Sequence, residues 1–108
     1  MNKRGLVVAL IGGVALGSHA AQAAYLLQII KAVYGEEYAG KTCDGTGVIA
    51  RACNGRQRCV FKSDDRICGD PSPNQPKTLR VTYKCAHLGP YDAIFESNAQ
   101  KEVFLACY

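Results

Sequence analysis

Apolar and polar positions change their spacing several times along this chain, and each change marks an element. Leu6 to Leu16 is an apolar run behind the basic pair Lys3 and Arg4, and Ala21-Gln22-Ala23 follows with small residues on either side. A basic start, a short apolar centre and a small-x-small site predict a secretory signal over residues 1–23, leaving 24–108 as a single domain. The apolar run falls short of the roughly 20 residues that cross a bilayer, so stable membrane insertion is not expected. Tyr25 to Tyr34 is the most apolar later segment, and Ile29, Ile30, Val33 and Tyr34 predict a buried strand stopped by Gly35. Glu36 to Cys43 is charged and reads as a loop.

Asp44-Gly45 predicts a turn. Thr46 is placed to cap a short helix through Val48–Cys53, with Val48, Ile49, Ala52 and Cys53 toward the core and Gly55 at its left-handed end. Arg58–Lys62 reads as a short strand. Residues 63–78 hold Pro71, Pro73 and Pro76 among small polar residues and predict irregular backbone. Leu79 to Cys85 alternates, as a strand with one buried face does. Gly89-Pro90 predicts another turn, and Asp92–Glu96 and Glu102–Cys107 predict two further strands. The fold class expected is α+β: a small antiparallel β domain with one short helix.

Composition explains how so small a domain would hold together. All six cysteines lie beyond the signal segment, and an even count in an exported chain predicts three disulfides. Each adds about 2–4 kcal/mol to a core that is marginal at this size. Gaps of 10, 6, 9, 17 and 22 residues between successive cysteines lack the short pairs of a zinc site. Without Lys3 and Arg4 the formal charge falls from +4 to +2, with the signs interspersed. Nucleic-acid binding normally carries a concentrated basic face, and Arg51, Arg56 and Arg58 read as a solvated cluster instead.

The chemistry available favours binding over catalysis. His87, the one histidine beyond residue 23, sits beside a turn, whereas a nucleophilic triad needs a histidine in hydrogen-bond reach of its nucleophile. No phosphate loop or metal-ligand pair is present, and no cofactor is expected. The polar turn between Cys59 and Cys85 carries Asp64, Asp65, Asp70 and Lys77. Carboxylates, an ammonium donor and an aromatic wall from Tyr34 make a set that binds a neutral sugar, through charge-assisted hydrogen bonds worth about 1.5–3 kcal/mol each.

The order of these residues resembles the galactose/rhamnose-binding lectin family, the sea-urchin-egg-lectin type. The resemblance rests on Ile30-Lys31-Ala32-Val33-Tyr34-Gly35, Cys53-Asn54-Gly55-Arg56-Gln57-Arg58-Cys59 and Ser63-Asp64-Asp65. It continues through Cys68-Gly69-Asp70-Pro71-Ser72 and Lys77-Thr78-Leu79 to Val81-Thr82-Tyr83-Lys84-Cys85. It covers residues 29–85 and implies a rhamnose-binding-lectin-like fold, with sugar contacts at Tyr34, Asp65, Asp70 and Lys77 and at the loop backbone of Asn74 and Gln75. Glu36, Ser72 and the glycine-free Asn74-Gln75-Pro76 depart from the family pattern.

The family's first strand has no counterpart ahead of Tyr25. A circular permutation is expected, in which residues 92–108 supply that strand beside Tyr25–Val33 and Glu96 takes the place of the family's sugar-binding glutamate. The resemblance then implies the disulfides Cys43–Cys68, Cys53–Cys59 and Cys85–Cys107. The function implied is that of a secreted or periplasmic lectin for rhamnose- or galactose-type sugars, without catalysis and with homo-oligomers as one route to multivalency. The alternative is a secreted protein-binding module, such as an inhibitor or toxin subunit, on the same scaffold.

Overall fold

The apolar segment after Tyr25 becomes the central strand, and its geometry shows why it reads as almost continuously hydrophobic. The computed structural model describes residues 25–97 and 102–108, so the expected signal over 1–23 lies outside the described residues. Strand β1 (Leu27–Glu36) buries Leu27 and Ile29, then Ala32 and Tyr34. A strict two-residue period would put the second pair on the opposite face from the first. A bulge between Ile29 and Lys31 absorbs the extra residue. Both pairs therefore face the core, and Ile30 is turned out to solvent.

After a 3-10 turn over Glu37–Ala39 come β2 (Lys41–Asp44), helix α1 (Thr46–Cys53), β3 (Arg58–Lys62), β4 (Lys77–Cys85), β5 (Leu88–Ser97) and β6 (Glu102–Ala106). Four strands form a sheet in the order β2-β1-β4-β5, and β3 pairs with β6 in a separate ribbon. Every pairing is antiparallel. The result is a small disulfide-stapled α+β domain.

Two rows cross the inner face of the large sheet, Ala32–Val81–Ala93 and Tyr34–Leu79–Phe95. The helix and the ribbon cover them. Ile49 and Cys53 join the core from α1, Cys59 and Leu105 from the ribbon, and Phe61 meets Phe95 edge-on at 6.1 Å. The opposite face carries the rows Val33–Arg80–Ile94 and Gly35–Thr78–Glu96, and there Ile94 is exposed.

Strand β2 pairs with β1 only from Val33 to Glu36. The rest of that edge is completed by the two ends of α1. Thr46 Oγ1 accepts the Ala32 N–H at 2.9 Å and Asn54 Oδ1 accepts the Ile29 N–H at 2.7 Å. Ala32 O accepts the Gly45 N–H at 2.9 Å, while Leu27 bonds Arg56 O at 2.8 Å and Gly55 N at 3.0 Å. Every one of these is a backbone group that would otherwise be stranded under the helix.

Several expectations are corrected here. Thr46 is the first helical residue and not its cap, because its hydroxyl serves Ala32 and Asp44 Oδ1. Gly45 precedes it, where an added Cβ would lie 2.5 Å from Ile67 Cγ2. Val48 faces outward, 38% exposed. The stretch expected as a loop, Glu36 to Cys43, starts on the last residue of β1 and ends within β2, since the free edge of β1 recruits Lys41–Asp44. The turn after β4 falls at Ala86-His87, with Ala86 at φ 58°, and Gly89-Pro90 lies inside β5, whose place at the sheet edge tolerates a proline. The tail strand does not lie beside Tyr25–Val33: β6 pairs with β3 and β5 with β4, because both edges of β1 are already occupied.

Three disulfides fasten the connections. Cys43–Cys68 ties β2 to the polar turn, Cys53–Cys59 joins the end of α1 to the ribbon, and Cys85–Cys107 ties β4 to the residue after β6. The helix-to-strand bonds are testable separately from these. Thr46→Val keeps the shape but removes the acceptor for the Ala32 N–H, and is expected to cost about 1–3 kcal/mol, read as a lower urea midpoint at unchanged slope. An unchanged midpoint would show that Ala32 finds another acceptor.

Candidate functional site

The end of the sheet where β1 stops, β4 begins and β5 stops gathers most of the polar residues singled out above. Tyr34 reaches it from the inner face of β1. Its ring is buried, 1% exposed, so it is a support under the site and not the open aromatic wall expected. The phenol donates to Asp65 Oδ1 at 2.7 Å and lies 2.9 Å from Ser97 Oγ. Ser97 also donates to Ser63 O at 2.9 Å. Burial, the largest influence, with help from the Asp65 carboxylate, pushes the phenol up to about 12 against the opposing Ser97 hydrogen bond.

Asp65 is held by a tight turn. Ile67 N bonds Asp64 O at 3.1 Å and Gly69 N bonds Asp65 O at 2.8 Å, and the Cys43–Cys68 bridge clamps the far side. Within the turn Asp64 is buried against Arg66, whose backbone N–H and guanidinium reach it at 2.9 Å and 3.0 Å. Burial disfavours the Asp64 charge, but the Arg66 bonds together outweigh it and hold the carboxyl below its usual range. Asp64 is thus structural, while Asp65 is exposed.

Lys77 opens β4 directly across from Ser97 on β5, which puts both side chains on the same face as Tyr34. Its ammonium meets Asp70 Oδ1 at 3.0 Å and donates to Gln75 O at 3.0 Å. Asp70 Oδ1 also accepts the Ser72 N–H at 3.2 Å. Gln75 N reaches Ser72 O at 3.2 Å, and Asn74 turns the loop at φ 63°. Ser72, fully buried, donates to Glu36 Oε1 at 3.0 Å, so residues at two of the departures from the family pattern bond each other. This packing needs Gly35: at φ 137° it brings Pro71 so close that a Cβ would sit 2.9 Å from its Cγ, and it would collide with the Lys41 carbonyl.

The structure therefore brings Tyr34, Asp65, Lys77 and Asp70 to one end of the sheet, with Asn74 and Gln75 on the loop that closes it. Glu96 is not brought in. It pairs across from Thr78, so its side chain is on the outer face of the sheet. Its neighbour Ser97 occupies the inner position, and sequence reasoning missed it. Only the long-range register of β5 on β4 could have pointed to Ser97, and nothing in the local residues does. Chemically, Asp65 and Asp70 each retain a carboxylate oxygen without a protein partner among the described residues. Lys77 has one N–H beyond its two contacts. Such a set accepts and donates to vicinal hydroxyls. His87 is exposed on the β4–β5 turn, all six cysteines are in disulfides, and the described residues include no cluster of metal-ligating side chains.

Part of the chain is similar to a D-galactoside-specific lectin. That protein, from Heliocidaris crassispina, is 37% identical over 41 residues, 38% of this chain and 39% of the lectin. The match thus spans well under half of either chain. No protein-family model matches, and no solved structure does.

Two measurements probe the support beneath the site. An unfolded tyrosine ionises near 10 and Tyr34 near 12, so the stability it contributes is complete below pH 10 and lost as pH rises toward 12. Wild type is expected to lose stability relative to Tyr34→Phe across that window; parallel pH curves would mean that the phenol is not held this way. Ser63 buries a hydroxyl with no partner among the described residues. Ser63→Ala keeps the carbonyl that Ser97 uses and is expected to raise Tm by a few degrees, about 1 kcal/mol. A lower Tm would reveal a bonded hydroxyl.

Proposed function

We propose that this protein is an exported carbohydrate-binding protein that recognises galactose- or rhamnose-type sugars on glycans and does no chemistry on them. The observation that carries this reading is the Asp65–Tyr34 and Asp70–Lys77 pairs meeting at one end of the sheet under a loop held by Cys43–Cys68. The partial similarity to a D-galactoside-specific lectin supports the same reading. In it, Asp65 and Asp70 accept sugar hydroxyls, Lys77 donates, and the backbone at Asn74 and Gln75 closes over the ring. Tyr34 acts one layer below, fixing the Asp65 carboxylate. The fasteners are disulfides, as suits a secreted or periplasmic protein.

Preorganisation is the physical advantage of such a site. Hydrogen bonds to charged groups are the stronger kind, at about 1.5–3 kcal/mol, and here the charged groups are already oriented. Asp70→Asn preserves an acceptor for the Ser72 N–H but removes the charge facing Lys77. It is expected to weaken binding of a methyl galactoside or rhamnoside at least tenfold, with Tm changed by only a few degrees, as read by calorimetric titration and thermal melting. Unchanged affinity would place sugar recognition elsewhere. Failure of the folded wild type to bind any glycan on an array would favour a protein-binding module.

A further inference from the structure

The outer face of the sheet carries an open, largely apolar cavity with a few polar groups, which borders the site above only at Gly35 and Glu36. We infer that this cavity, floored by Thr78, Arg80 and Ile94 and flanked by Tyr38, is a second carbohydrate site, which would make one chain bivalent. The inference rests on the reading of the protein as a glycan binder. Its volume is about 400 Å³, with Glu37 and Pro76 completing the wall, within the usual ligand range of about 300–1,000 Å³.

Charge decides the kind of ligand. Arg80 is half-exposed, yet its Nε donates to Glu37 Oε1 at 3.0 Å and its Nη1 lies 3.9 Å from Asp92. Asp92 is itself held by the Thr82 hydroxyl at 2.7 Å. The guanidinium is therefore oriented and neutralised, and Glu37 on the same rim opposes an anion. A cation gains little either, because the Glu37 carboxylate is already engaged by Arg80. An uncharged polyol suits both: hydroxyls can take the remaining guanidinium N–H groups, the free Glu37 oxygen and the Thr78 hydroxyl.

The apolar part of the rim fits the other side of such a ligand. Tyr38 is fully exposed, on a 3-10 turn closed by the Gly40 N–H to Glu37 O bond at 3.0 Å, with Gly40 left-handed at φ 68°. Its backbone is fixed while its ring covers nothing. Ile94, 57% exposed, and Pro76 lie in the same cavity. A pyranose has one C–H face for these surfaces and a hydroxyl edge for Arg80 and Glu37. The two sites are on opposite faces of one sheet end, since adjacent residues Lys77 and Thr78 point to opposite sides. A single chain could then bridge two glycan ends without oligomerising.

The test is a titration of isotopically labelled protein with methyl β-galactoside and methyl α-rhamnoside, following backbone amides by NMR. Two groups of amides should move, one around Asp70 and Lys77, the other around Tyr38, Thr78, Arg80 and Ile94, with two sugars bound per chain. Tyr38→Ala should weaken the second group at least tenfold and leave the first unchanged; Asp70→Asn should do the reverse. Movement of the first group alone, at millimolar sugar, would overturn the second site and leave the proposed function standing. Movement of the second group alone would overturn the bivalence and the proposed site around Asp70, leaving one site on the outer face. If neither group moves in either sugar, both readings fail.

Discussion

The backbone of β1 is the constraint on which the other elements depend. It is the inner strand with the most to satisfy: β4 takes one edge along nearly its whole length, but β2 covers only the last four of its ten residues on the other. Thr46 and Asn54, at the two ends of α1, supply the missing acceptors for Ala32 and Ile29. The helix is therefore set along the strand by hydrogen bonds as well as by Ile49 and Cys53 in the core. An unpaired buried N–H costs about as much as a lost hydrogen bond, so this arrangement leaves α1 little freedom to shift. Once the helix is set, Cys53–Cys59 directs the chain into β3, and β3 receives β6.

The same strand positions the polar end of the molecule. Tyr34 is carried there because the bulge at Ile29–Lys31 restores its side chain to the inner face. Its hydroxyl then links Asp65, from the turn after β3, to Ser97, at the end of β5. Gly35 follows immediately and lets the Asp70–Ser72 loop pack close against β1 and β2. Four separate parts of the chain thus converge on one residue pair, Tyr34-Gly35. The loop beyond closes on itself through Asp70, Lys77 and Gln75, which orients its groups but also occupies part of their bonding capacity. A sugar would compete with, or extend, bonds that already exist.

On the outer face the same strands carry a different chemistry. Arg80 is held between Glu37 and Asp92, an exposed arrangement that solvent screens, so its contribution to stability is small. Its significance lies in orientation. Adjacent residues of β4 serve opposite faces, so a two-residue period is enough to separate two polar regions by the thickness of a sheet.

Much of this was legible from the residues alone. The alternation of Leu79 to Cys85 marks a strand with one buried face, Arg58–Lys62 has the bounds of β3, and the run expected as irregular over 63–78 is so up to Pro76, with Lys77 and Thr78 drawn into β4 by their pairing with Ser97 and Glu96. Gly55 stands at the left-handed end of the helix as expected, at φ 78°, whereas Gly35 does not stop β1, which runs on to Glu36. The grouping of Asp65, Asp70 and Lys77 followed from motif order, which preserves local spacing. What needed the tertiary structure was everything set by pairing at long range. A bulge cannot be read from Gln28-Ile29-Ile30-Lys31, because an extra residue alters parity only relative to a partner strand. Glu96 and Ser97 are equally plausible in sequence, and only the register of β5 on β4 decides that Ser97 faces Tyr34 while Glu96 faces away. Tyr34 itself looked like an open wall, since composition cannot tell a buried tyrosine with a bonded hydroxyl from an exposed one. Local chemistry is written in neighbouring residues; which side of the sheet it serves depends on strands that are far apart in the chain.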